Sequence, residues 1–357
     1  MTMTTYLAQL GNRRDPQTGA ISMPIHLSTT FEHPELGRST GFDYTRTKNP
    51  TRQVLEEGLA ELEGGTHAVA TSSGMSAIQL VFGLYPVGSH FLVTRDVYGG
   101  SYRYFAHLES TGQATFDYVD SCEELESMIT DRVTAVFLET PTNPLMREIS
   151  IAEVSTIASS VGAHVIVDNT FLTPLRQRPL DEGATISLHS GTKYLTGHND
   201  LLAGAVITND PGLGEKLQWL ANTTGPTLSP FDSWLFVRSL KTLPIRLDRQ
   251  EATARAVADA LAEHEAVTEV FYPGRGAMIS IKVTGSIATI LSRLNLFTYA
   301  ESLGGVESLI THPVTQTHAD IPVEIRESYG LTDDLLRLSI GLEDPECLIA
   351  DLTQALR

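Results

Sequence analysis

Short apolar runs separated by amphipathic segments dominate the first two thirds of the chain. Val133-Thr134-Ala135-Val136-Phe137-Leu138 and His164-Val165-Ile166-Val167 have the length and β-branched content of buried strands, as do Thr185–Leu188 and Ala205–Ile207. A capping-box pattern, Ser121-Cys122-Glu123-Glu124, opens a helix ahead of the Val133 run. A second, Ser150-Ile151-Ala152-Glu153, opens one that ends near Gly162. Strand, helix and strand at this spacing imply right-handed crossovers and a mostly parallel sheet. Beyond residue 230 the pattern changes to an alanine-rich helix, Ala252–Glu265, strands at Val267–Tyr272, Ala277–Val283 and Leu335–Ile340, and a final helix from Pro345. The expected organisation is an α/β protein with an N-terminal arm over 1–45, a large domain over 46–230 and a smaller α+β domain over 231–357.

Size supports that division, since 357 residues at ~150 per domain make about two domains. The chain carries 25 basic and 43 acidic residues, a formal charge of −18. Nucleic acid and anionic membrane are therefore disfavoured partners, and a site for an anionic substrate has to be locally basic. The two cysteines, Cys122 and Cys347, lie far apart with no CxxC or Cys/His cluster. That argues against a disulfide scaffold or a zinc site and fits a reducing compartment. The opening Met1–Tyr6 has no basic stretch followed by an apolar run, and no segment approaches the ~20 apolar residues that span a bilayer. A cytoplasmic protein is expected.

Candidate chemistry sits where the apolar runs end. Glu139-Thr140-Pro141-Thr142-Asn143-Pro144, Asp168-Asn169-Thr170 and His189-Ser190-Gly191-Thr192-Lys193 each follow a strand. In a parallel sheet all three open onto one rim, where α/β proteins bind ligands. Most lysines are solvated surface residues. Lys193 instead sits directly after a strand among small hydroxyl residues, where a desolvated amine can lose its proton and attack an aldehyde. Asp168, taken alone, reads more readily as a helix cap or turn residue. Paired with such a lysine, it fits the carboxylate that keeps a pyridoxal ring nitrogen protonated. Ser72-Ser73-Gly74-Met75-Ser76 stands between the strand-like Ala68–Ala70 and the helical Ala77–Val81, where backbone N–H groups can meet a phosphate.

Together with Asp168–Phe171, His189–Tyr194 and Glu139–Pro144, four more motifs complete a pattern. They are Tyr44-Thr45-Arg46 with Asn49-Pro50-Thr51, Val97–Gly100, Ala300–Gly305 and Leu336–Gly341. In this order, along nearly the whole chain, they resemble the Cys/Met-metabolism family of pyridoxal-phosphate enzymes. The resemblance implies a PLP-dependent transferase fold (fold type I) with pyridoxal 5'-phosphate held covalently by Lys193. It further implies that Asp168 pairs with the ring nitrogen, Tyr98 stacks on the ring, and Gly74, Met75, Ser190 and Thr192 bind the phosphate. Arg337 would grip the substrate α-carboxylate by a bidentate fork that lysine cannot copy, with Asn143 and the Ser302 backbone orienting the same group. Tyr44 and Arg46 would reach the phosphate of a neighbouring subunit, which implies a site built across a homodimer, within a tetramer. Glycine at position 191, where the family commonly has alanine, is a small change expected to be tolerated.

Members of this family share one intermediate and differ in its fate: γ-replacement on an O-acylated homoserine, or elimination from cystathionine by γ- or β-lyases. Glu301, suited to a second, distal amino group, and Asp43 beside Tyr44 resemble the synthase pattern, so γ-replacement by cysteine, and also by sulfide, is the expected reaction. An aminotransferase would keep the lysine and aspartate but not the Tyr44/Arg46 arm or the Glu301–Gly305 run. A nucleotide-binding protein would show GxGxxG or GxxxxGK[ST], and neither occurs.

Overall fold

The computed structural model describes residues 1–357. Seven strands, β1 (His67–Thr71), β2 (Ser89–Thr94), β3 (Ala114–Val119), β4 (Val133–Glu139), β5 (His164–Asp168), β6 (Ile186–Ser190) and β7 (Gly204–Thr208), form one sheet in the order β1-β7-β6-β5-β4-β2-β3. Only β7 runs antiparallel to its neighbours. The expected mostly parallel sheet is therefore present. The residues of β4 are almost all buried, as a strand covered by helices on both faces requires. Both serines cap their helices: Ser121 Oγ accepts from Glu124 N and Ser150 Oγ from Glu153 N, each at 3.2 Å. Adjacency of β4, β5 and β6 places Glu139, Asp168 and Ser190 side by side at one edge, with Glu139 and Asp168 in direct register.

The second sheet contains β8 (Val267–Phe271), β9 (Met278–Val283), β10 (Thr298–Tyr299), β11 (Leu309–Thr311) and β12 (Leu335–Ser339), ordered β10-β11-β12-β9-β8. The helix expected from Ala252 begins earlier, at Leu243, and runs to Ala262. Pro244 fits its first turn, where no backbone donor is lost, and the buried stripe Leu243, Leu247, Gln250, Ala254, Val257, Leu261 continues through the charged segment. One apolar cluster of 45 residues joins both sheets, so the cleft between them has continuous walls.

The arm is less uniform than its turn-rich sequence indicates. Met3–Gln9 is a helix capped by Thr2, and Leu7, Leu10 and Met23 enter the main core beside Leu55 and Leu59. Gly58 makes room for them, because a Cβ there would lie 2.8 Å from Leu10 Cδ2. After this docked segment, Leu27 and Leu36 stand exposed at 69% and 104% of their full surface.

Candidate active site

Beyond β6 the chain turns tightly through Gly191, with Thr196 N donating to Gly191 O (3.1 Å) and Gly197 N to Lys193 O (2.8 Å). A Cβ on Gly191 would lie 2.6 Å from Phe236 Cε1, so the ring of Phe236 occupies the space a methyl would take. The turn is braced by Arg246, whose buried guanidinium donates to the carbonyls of Tyr194 (2.8 Å) and Ser239 (3.1 Å). Lys193 Nζ, emerging from this turn, donates to Ser302 Oγ over 2.8 Å. Burial, reinforced by the Arg337 charge, pulls the amine down to about 8, against the opposing pull of Glu301. A lysine near neutrality is a nucleophile at physiological pH.

Asp168 lies at the carboxyl end of β5. Its Oδ1 accepts from Thr170 N (3.0 Å) and Thr170 Oγ1 (2.5 Å), and the Thr170 hydroxyl oxygen accepts from Ser190 N (2.9 Å). Burial raises its pKa, and the two Thr170 bonds followed by the nearby His189 oppose that rise. Behind it, buried Glu63 Oε1 accepts from Asn169 Nδ2 (3.0 Å), Ser187 Oγ (2.8 Å) and His189 Nε2, tying the ends of β5 and β6 to the helix Pro50–Glu63. Neither Glu63 nor this network was legible, because its partners are scattered over three elements.

The helix Gly74–Phe82 points its N-terminus at the same place. Ser73 caps it by accepting from Ser76 N (3.1 Å), while Gly74 and Met75 line the cleft. A Cβ on Gly74 would lie 2.8 Å from Ser190 Cβ, so glycine alone permits this approach of helix end and strand end. Helix-end amides flanked by Ser190 make an anion cradle. Thr192 also lines it, although its hydroxyl donates to Ala203 O (3.2 Å) and accepts from Ala203 N (3.0 Å).

From the second sheet comes Arg337, on the interior strand β12 and 2% exposed. Nη1 donates to Asn143 Oδ1 (2.8 Å), and Nη2 to Ser302 O (3.1 Å) and Thr311 Oγ1 (3.2 Å). Nε has no protein partner and no carboxylate pairs with the group. Burial lowers its pKa to about 10, which leaves it charged. A buried cation with a spare donor calls for an anionic ligand group.

Amine, carboxylate and anion cradle around one cleft of about 350 Å³ fit an aldehyde cofactor with a phosphate and a ring nitrogen. Residues 4–357 match the family described as Cys/Met metabolism PLP-dependent enzyme. The chain belongs to that family. Its pyridoxal-phosphate dependence and fold type I architecture accord with that membership. Relatives include a Bacillus subtilis "Cystathionine gamma-synthase/O-acetylhomoserine (thiol)-lyase", 50% identical over 99% of this chain and 95% of that one. A B. subtilis "Cystathionine gamma-lyase" is 44% identical over 100% and 99%. Among solved structures, the Xanthomonas oryzae pv. oryzae cystathionine gamma synthase in complex with aminoacrylate and cysteine superposes with a TM-score of 0.96. It is 42% identical and matched over 100% of this chain and 98% of that one.

In this PLP-dependent enzyme the cleft collects Gly74, Met75, Tyr98, Asn143, Asp168, Ser190, Thr192, Lys193, Glu301, Ser302 and Arg337. Tyr98 folds its ring over Gly100, where a Cβ would lie 2.4 Å from Tyr98 Cε1. Tyr44 and Arg46 do not join the cleft of their own chain. Arg46 donates to Asn222 O and lies 5.6 Å from the half-exposed Tyr44 ring. The cleft also contains Glu139, Thr170, Phe171 and Thr317, to which the sequence alone assigned no role. His318, next to Thr317, is buried with Nε2 donating to Asn143 O (2.9 Å). Burial, then the Arg337 charge, drop its pKa to about 3.

Proposed function

We propose that the enzyme catalyses γ-replacement: an O-acylated homoserine reacts with cysteine to give cystathionine and the free acid, with sulfide as a further acceptor. The observation that carries the reading is that Arg337 and Glu301 line one cleft. Arg337 offers a fork for the α-carboxylate, and Glu301 offers a carboxylate for the distal amino group of cystathionine. The 50% identical relative bears a synthase and thiol-lyase name. When bound, pyridoxal phosphate supplies an electron sink for charge developing on the substrate carbons.

Lys193 would hold the cofactor, and its Nζ is placed to move protons at the substrate carbons. Ser302 Oγ keeps that nitrogen oriented. Asp168 would pair its carboxylate with the ring nitrogen, Tyr98 would cover the ring, and Gly74, Met75, Ser190 and Thr192 would hold the phosphate. Asn143 and the Ser302 backbone hold the Arg337 fork in place.

Tyr44 and Arg46, outside their own cleft, complete the cradle of a second subunit. The exposed Leu27 and Leu36 of the same segment give such a subunit an apolar surface to cover. The assembly is a homodimer-built tetramer, and the enzyme works in the cytoplasm. Three structural parts go with it, an arm over 1–45, a cofactor domain over 46–230 and a small domain over 231–357.

Elimination from cystathionine is the second reading, favoured by the 44% identical γ-lyase. Incubating the purified enzyme with each donor and acceptor and resolving the products separates them. Cystathionine formation from O-acyl-homoserine and cysteine is expected. Rapid 2-oxobutanoate release from cystathionine without net synthesis means γ-lyase, and pyruvate with homocysteine means β-lyase.

A further inference from the structure

Glu139 and Asp168 are register partners on adjacent parallel strands, so their side chains leave the sheet on the same side, about 4.8 Å apart at the backbone. Both line the cofactor cleft, and Glu139 is 5% exposed. Two carboxylates this close inside a protein do not both ionise without a cation between them. None is bonded there. Arg337, the cation facing the pair from β12, gives its hydrogen bonds to Asn143, Ser302 and Thr311.

The two carboxyls are unequally supported. Asp168 receives the Thr170 N–H and O–H and faces His189, all of which favour its charge. Glu139 receives one backbone donor, Tyr98 N over 2.9 Å, and on its other side meets a further acid, Asp96. Asp96 is itself buried, accepting from Thr142 Oγ1 and Leu145 N. We infer that Glu139 and Asp168 form a carboxyl pair holding one proton, resident on Glu139, so that Asp168 alone carries charge and Glu139 offers the cleft a neutral O–H donor. Burial, then the Asp168 charge, hold the Glu139 carboxyl well above the usual range, which agrees with this division. The inference rests on the reading of Asp168 as partner of the ring nitrogen, and makes Glu139 the residue that keeps that partner's charge from being shared.

Infrared spectroscopy of the cofactor-free protein tests it. Subtracting the spectrum of Glu139→Gln from that of wild type at pH 7 leaves one protonated carboxylic-acid C=O band. In Asp168→Asn the pH at which that band disappears moves down by about one unit or more, because the repelling neighbour is gone. After reconstitution Glu139→Gln stays yellow, since a neutral amide replaces a neutral acid and still accepts from Tyr98 N. Absence of the band from the difference spectrum, an unmoved midpoint in Asp168→Asn, or loss of colour in Glu139→Gln overturns the inference. A wild-type protein that stays colourless with pyridoxal phosphate instead removes the reading of the cleft on which it rests.

Discussion

Arg337 Nη1 donates to Asn143 Oδ1 over 2.8 Å, joining residues 194 positions apart and bridging the two sheets at the floor of the cleft. Asn143 in turn accepts from His318 through its carbonyl (2.9 Å), so the substrate-facing fork is fixed by a neutral chain of hydrogen bonds rather than an ion pair. The cation therefore keeps its charge available for a ligand.

Replacing Arg337 by lysine keeps the charge and loses the fork. Charge-assisted hydrogen bonds are worth about 1.5–3 kcal/mol each, so kcat/KM is expected to fall roughly ten- to hundredfold, mostly through KM. Cofactor colour persists, because the hydrogen bonds of Arg337 go to Asn143, Ser302 and Thr311, none of them assigned to the ring or phosphate. Steady-state kinetics beside an absorbance spectrum check this. An unchanged KM removes Arg337 from substrate binding.

Covalent loading depends on the neutral Lys193 amine, which burial brings to about 8. The rate of cofactor uptake by the cofactor-free enzyme is expected to rise with pH through a midpoint near 8 and then level off. Borohydride should fix the cofactor on Lys193, and Lys193→Ala should give no such adduct and no turnover. A midpoint near that of a free lysine contradicts the desolvated environment.

Much of the site is written locally. Lys193, Asp168 and Ser190 stand out because small polar residues follow apolar runs, and a parallel sheet brings such ends together. Gly74 is legible for the same reason, at a strand-to-helix junction. Arg337 was not legible on its own, because alternation in Leu-Arg-Leu reads as a half-exposed strand. Its burial depends on acceptors from Asn143, Ser302 and Thr311, which no local pattern reveals. Glu63 fails similarly, its network spanning the helix Pro50–Glu63 and the ends of β5 and β6. Strand β3 alternates buried and exposed at the sheet edge, and the helix Met3–Gln9 is too short for its periodicity to stand out. Docking of Leu7 and Leu10, not propensity, holds that helix.

His318 makes stability depend on pH in a defined window. Its folded pKa, near 3, lies below the ordinary value of 6.5, so between these limits the unfolded chain binds the extra proton. The contribution is complete above 6.5 and is lost as pH falls toward 3, at up to about 1.4 kcal/mol per pH unit. Thermal unfolding of His318→Gln should show a lower Tm at about pH 7 but a shallower loss between roughly pH 6.5 and 4 than wild type. Parallel curves sink the assignment.

Gly191 and Phe236 fill one volume between them. Adding a methyl at Gly191 puts it 2.6 Å from Phe236 Cε1 and 3.1 Å from Ala203 Cβ, well inside contact distance on two sides. Phe236 is fully buried in the main core and cannot swing into solvent, so the turn must move instead. That turn carries Lys193 two residues later, which couples a packing defect to the amine. Gly191→Ala alone is expected to cost about 1–3 kcal/mol, lowering Tm by a few degrees, and to weaken cofactor binding. Trimming the ring by Phe236→Leu relieves the clash, so the double variant should recover most of both. Calorimetry and cofactor titration on the two single variants and the double variant measure the coupling. Additive losses, or a single Gly191→Ala as stable as wild type, show that the ring and the glycine are not matched.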